Sequence, residues 1–168
     1  CVSGASCFNS ADFEAAFTAS GTSSIDSDFT QLIDQDNACR NGANCDNIAT
    51  VRYFVTSSEG AIITTDSDQS IFQTNTCSTG QTCTNTGTLT NNVFAEDTAR
   101  LNADTTQTLT QTCSTSSGTN CMNTNTQTTS GSAINNAVFS YTTSQTLDNG
   151  PGAGGNGAAA SAGLRRSE

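Results

Sequence analysis

In this chain the residue at one position forecasts the residue 38 positions later. Cys7, Cys45, Cys83 and Cys121 stand one step apart, each followed two residues on by Asn9, Asn47, Asn85 and Asn123, and each preceded by Gly4, Gly42, Gly80 and Gly118. Further columns run through Gln31, Gln69, Gln107 and Gln145, then Ile33, Ile71, Leu109 and Leu147, then Gln35, Gln73, Gln111 and Asn149. Self-similarity of this length means repeat architecture. The other cysteines are Cys1, Cys39, Cys77 and Cys113, and the last arrives two residues early, in the column of Asn37 and Asn75. Strand side chains alternate with period two, so a shift of two keeps the cysteine on its face, which a helix would not.

Each unit reads as a disulfide-closed turn, a strand, a second turn and another strand. Odd positions of the first strand carry Phe13, Ala15, Phe17 and Ala19, then Val51, Tyr53, Val55 and Ser57, then Leu89 and Val93, and are expected to face inward. The second strand opens with Ile25, Ile63, Leu101 or Phe139. Even positions such as Thr84, Thr86, Thr88 and Thr90, or Thr106, Thr108, Thr110 and Thr112, suit a wet strand face. Phe13 and Phe17 also match helical spacing, but the counterpart segment 48–55, IATVRYFV, is strand-like, so strand is assigned to both.

Two all-β architectures fit: a four-repeat β-solenoid, and an eight-stranded antiparallel barrel or sandwich. An inward amide costs about 1–3 kcal/mol if unpaired, whereas identical amides stacked at strand spacing bond to one another in a ladder. The Gln and Asn columns therefore favour the solenoid, with repeats 1–38, 39–76, 77–112 and 113–149 forming one domain, 1–149. Strands of about 11 residues would make it about 36 Å wide and about 19 Å tall, with no capping segment in view. The remaining stretch, 150–168, is rich in Gly and Ala and is expected to be a flexible linker, with ordered docking along a neighbour as the alternative.

The 168 residues are only 33% hydrophobic, with one proline and no tryptophan, so something besides apolar burial must hold the chain together. A net charge of −10, from 15 acids and five arginines, repels nucleic acid and anionic membranes. No apolar run reaches the length of about 20 residues that spans a bilayer. The absence of histidine removes the commonest general base and metal ligand, and a non-enzymatic role is expected. Paired acids such as Asp34 and Asp36 share a strand face, but nothing in the sequence places a partner opposite them.

Eight cysteines in a polar Thr/Ser/Asn-rich chain indicate disulfides and an extracellular, oxidising setting. A leader would already have been removed. The repeat pairs Cys1 with Cys7, Cys39 with Cys45, Cys77 with Cys83 and Cys113 with Cys121, a structural use; redox catalysis favours CxxC, and zinc sites favour closer pairs. The column Asp28, Asp66 and Asp104 would repel itself unless it splays into water or shares a cation such as calcium. Strict N-glycosylation sequons are absent, while Ser and Thr are available for O-linked glycans.

The Gln/Asn columns, the acidic Ser/Thr/Gly-rich composition and the strand-turn-strand repeats of residues 1–149 resemble curli-type subunits, secreted bacterial proteins that polymerise as β-solenoids into extracellular biofilm fibres. The QxIxQxNxC and CxN elements also resemble uncharacterised secreted prokaryotic proteins with Cys-paired repeats. The repeat here is longer than the curli repeat and carries cysteine pairs that family lacks. The resemblance implies a fibre-forming subunit of a biofilm matrix, adhesion structure or surface fibre, whose partner is a further copy of itself. The last full strand ends near Asn149, where another cysteine turn would begin, so head-to-tail stacking would continue every column. A monomeric secreted module whose Thr arrays bind ice or carbohydrate is the alternative.

Overall fold

The computed structural model describes residues 2, 4–78, 82–115, 120–149 and 158–166. Among the described residues nine strands follow in chain order: β1 (Ser6–Ala19), β2 (Ser24–Cys39), β3 (Asn44–Ser57), β4 (Ile62–Cys77), β5 (Thr82–Ala95), β6 (Arg100–Thr115), β7 (Asn120–Ala133), β8 (Val138–Asn149) and β9 (Ala158–Arg166). They form two sheets, β1-β3-β5-β7-β9 and β2-β4-β6-β8. Every pairing between strands is parallel. Consecutive strands lie in opposite sheets, so each turn carries the chain across the core and each pair of strands makes one rung. The fold is a β-solenoid of four rungs; the antiparallel barrel or sandwich is excluded by the parallel pairing.

Register follows the repeat. Cys7 pairs with Cys45, Cys45 with Cys83 and Cys83 with Cys121, while Gln31, Gln69, Gln107 and Gln145 align across the other sheet. Cys113 pairs with Asn75, and Cys77 with Thr115, so the early cysteine keeps its inward face. Because the period is even, odd-numbered residues point inward in every rung, giving the alternating burial of β3, β4 and β5.

The strands of the first three rungs are 14 and 16 residues long, not about 11. The turns at 20–23, 58–61, 96–99 and 134–137 are short, and polar residues beside them remain in the ladder. Left-handed backbone makes this possible: Gly60 has φ 83°, and Asn135 and Asn136 have φ 53° and 64°. The ladder even runs through the turns, with Arg100 N donating to Ala61 O at 2.8 Å and Val138 N to Ala99 O at 2.8 Å. At the other edge Gly42 has φ 81°; its column mates Gly80 and Gly118 lie outside the described residues.

Within the stretch 150–168, read from its composition as a flexible linker, residues 158–166 form a strand. β9 pairs with β7 from Asn125↔Ala158 to Ala133↔Arg166. The outer edge of β7 carries backbone N–H and C=O groups that need partners, and a run of small residues can lie along them.

The interior is layered. One apolar cluster, with Tyr53, Val55, Ile63, Val93 and Leu101, sits beside the short turns. A second holds Val51, Ile71, Leu89 and Leu109 at mid-strand, and half-cystines pack at the far edge. Phe13 lies on the inward face beside Phe29, ring centroids 6.0 Å apart, yet it is 47% exposed because no rung covers β1. Gly87 and Gly131 are set by the opposite sheet: a Cβ on Gly87 would lie 2.5 Å from Leu109 Cδ1, and one on Gly131 2.5 Å from Phe139 Cζ. Replacing Gly87 with Val should therefore lower stability by about 1–3 kcal/mol through overpacking, measured by denaturant unfolding with the disulfides intact; unchanged stability would contradict this packing.

Candidate functional site

The most distinctive chemistry lies in the amide columns between the apolar layers. Gln69 Nε2 donates to Gln31 Oε1 at 3.2 Å, Gln107 Nε2 to Gln69 Oε1 at 2.9 Å, and Gln145 Nε2 to Gln107 Oε1 at 2.9 Å. In the neighbouring column Gln73 donates to Gln35 at 2.9 Å and Gln111 to Gln73 at 2.7 Å. These glutamines also reach across the core, through Gln35 Nε2 to Ile48 O at 3.1 Å, Gln73 to Thr86 O at 3.0 Å and Gln111 to Thr124 O at 3.3 Å. Each primary amide offers two N–H donors, so one serves the ladder and one ties the sheets together.

The asparagine column in the other sheet has the same logic and the opposite sense. Asn9 Nδ2 donates to Asn47 Oδ1 at 3.1 Å, Asn47 to Asn85 at 3.1 Å and Asn85 to Asn123 at 3.0 Å. Asn37 and Asn75 join it from the facing strands, donating to Asn47 at 2.8 Å and Asn85 at 2.9 Å. Cys113 occupies the corresponding place in the third rung, while Asn123 keeps the bond to Gln111 O at 3.2 Å that Asn47 makes to Gln35 O at 3.3 Å. Donors run towards the first rung in the glutamine ladders and towards the last in the asparagine ladder.

Beside this layer the disulfides Cys39–Cys45, Cys77–Cys83 and Cys113–Cys121 have Cα separations of 6.1, 6.6 and 6.3 Å. Each joins the end of a strand in one sheet to the start of the next strand in the other, and so closes the edge of the core. Cys7 is also disulfide-bonded, while Cys1 lies outside the described residues.

The ladders end asymmetrically. Gln31 is only 4% exposed, but its Nε2 has no hydrogen-bond partner among the described residues. Gln145, half-buried on β8, donates its Nε2 to Gln107. Gln111 Oε1 likewise has no partner among the described residues; Asn149 stands in register with it, its side chain outside the described part. Inward residues of the terminal strands, including Ile25, Phe29, Ile33, Phe139, Tyr141 and Leu147, are only partly buried, unlike their equivalents between them.

Gln127 was not foreseen as a ladder-type residue, because it stands in the column of Val51 and Leu89. It is buried and donates to Thr146 O at 2.9 Å, across the core. Its only signal in the sequence was its odd position. Two tyrosines share the interior: Tyr53, hydrogen-bonded to Thr65, and Tyr141 both have their phenol pKa pushed up by burial.

Asp28, Asp66 and Asp104 align in register on the wet face, where they are exposed. No group of three or more potential ligands gathers to hold a metal among the described residues. Asp34 and Asp36 are also exposed on the outer face, beside Phe72 and Thr74 of the next strand, so no facing carboxylate completes an acid pair. On the opposite outer face Thr86, Thr88 and Thr90 align with Thr124, Thr126 and Thr128. Arg52 bridges the first two rungs by donating to Asp12 at 2.8 Å, an exposed pair of small energetic weight.

No helix among the described residues is long and apolar enough to cross a membrane, and the disulfides are compatible with a secreted protein. No protein-family model matches the chain, and neither the curated proteins nor the solved structures give a match.

The central glutamines provide a test of the ladder. Replacing Gln73 alone with Leu strands Gln35 Oε1 and a Gln111 donor in the core, and should cost about 2–4 kcal/mol by denaturant unfolding. Replacing Gln35, Gln73 and Gln111 together should cost less per site, since few amide groups are left unpaired. Equal cost per site would remove the ladder as a cooperative unit.

Proposed function

We propose that the protein is a structural subunit of an extracellular filament, of the kind that builds a biofilm matrix, an adhesion structure or a surface fibre, and that copies add end to end by parallel strand stacking. The observation that carries this reading is the buried, unpaired Gln31 Nε2 at one end of a ladder whose other end offers the Gln145 acceptor. Both belong to one column, three periods apart. A second copy placed one step beyond β8 brings its Gln31 beside Gln145, its Ile33 beside Leu147 and its Ile25 beside Phe139. That contact would pair the idle donor, bury half-covered apolar residues and satisfy the backbone of an open edge.

The likeness to curli-type subunits supports the same reading by architecture, since the amide columns here are stacked in parallel register. The disulfides favour an oxidising compartment. Electron microscopy of the oxidised chain should reveal filaments with an axial repeat of about 4.8 Å. Replacing Gln31 with Ala should raise the critical concentration about tenfold, the equivalent of one net hydrogen bond of about 1.4 kcal/mol, while leaving the monomer folded. A dispersed monomer at high concentration, disulfides intact, would sink the reading.

A second reading, a monomeric binding module for ice or carbohydrate, draws on the aligned threonines of β5 and β7. It requires slowed ice growth, read as thermal hysteresis, or retention on a polysaccharide, and loss of either effect when Thr88 and Thr126 are replaced by Lys.

A further inference from the structure

The pairing of β9 with β7 does not belong to the repeat. The other paired strands keep the step of 38, as in Cys83↔Cys121 or Gln107↔Gln145. β9 departs from it: Asn125 pairs with Ala158 and Ala133 with Arg166, a step of 33. It is non-repeat sequence laid along the edge that a further repeat would occupy.

Three periods back, the column rule assigns that edge to Ser6–Ala19 of another copy, with Cys7 beside Cys121 and Ala19 beside Ala133. Two segments therefore claim the same edge. β1 has 14 residues and could match the whole of Asn120–Ala133. β9 has nine described residues and pairs with Asn125–Ala133; the residues that its step of 33 would set beside Asn120–Thr124, 153–157, lie outside the described residues. Its sequence, AAASAGLRR, is dominated by Ala and Gly, which are depleted from strands because they offer little to pack on a pleated surface. An incoming copy would also set its β2 on β8, which has no strand on its outer side among the described residues.

We propose that β9 is an internal cap on the growing end, and that a second copy is added by displacement: its β1 replaces β9 along Asn125–Ala133. The inference rests on the filament reading above and adds its regulation. A cap of this type blunts an edge that would otherwise template indiscriminate association. It also lowers the fraction of ends competent to grow, and with it the apparent affinity for the next copy.

The test compares three full-length oxidised chains: the protein as it stands, one with Ser161→Pro and Ala162→Pro to weaken β9, and one with Ala160→Val and Ala162→Val to strengthen it. Hydrogen exchange on the monomers reports whether β1–β8 stay folded and whether residues 125–133 lose protection in the proline chain. Elongation is read from the growth of sheared filament seeds. The proline chain should elongate about tenfold faster or more, and the valine chain slower than the unaltered one. Equal rates for all three would overturn the cap while leaving the filament reading intact, and slower growth of the proline chain would overturn it by making β9 part of the contact. Failure of all three folded chains to form any filament would overturn the filament reading itself.

Discussion

Stacking like on like, one strand spacing apart, is the condition on which the other features of this molecule depend. A parallel sheet with a constant step places each side chain directly over its counterpart, and a primary amide is the polar group best suited to that position. It carries donors and an acceptor, so a column of identical amides satisfies itself. This is why Gln69, Gln73, Gln107 and Gln111 can be fully buried in a chain with a small apolar inventory. In an antiparallel meander the same residues would sit two strands apart and would each need another partner.

The step also explains the division of the core into layers. Cystines close one edge, where apolar side chains are few, and amides beside them tie sheet to sheet through backbone carbonyls such as Ile48 O and Thr86 O. Apolar clusters fill the middle and the edge with the short turns. Where the columns drift, the structure adjusts locally. Cys113 replaces an asparagine at the edge and keeps its inward face, while Gln127 replaces a leucine and bonds to Thr146 O.

Much of this was legible in the sequence because columns and parity are counting properties. The spacing of Cys7 to Cys121 and of Gln31 to Gln145 carried over directly into registers, and the even period identified the inward set. What counting could not supply was geometry across the core. The reach of Gln35 to a carbonyl 13 residues away depends on how closely the sheets approach at that layer. Strand length was understated because φ values such as those of Asn135 and Asn136 let a turn close in so few residues. β9 was missed for a different reason: Ala and Gly signal no strand on their own, and its pairing is set by the vacant edge of β7 and lies outside the repeat.

The opposed directions of the ladders have an electrostatic consequence. In an α-helix, aligned peptide dipoles sum to partial charges at the two ends. Here the glutamine amides point their donors one way along the axis and the asparagine amides point theirs the other way, so their side-chain dipoles oppose. Lengthening the stack adds to both sets together. The asparagine ladder therefore offsets part of the charge that the two glutamine ladders alone would build up at the tips as the stack lengthens.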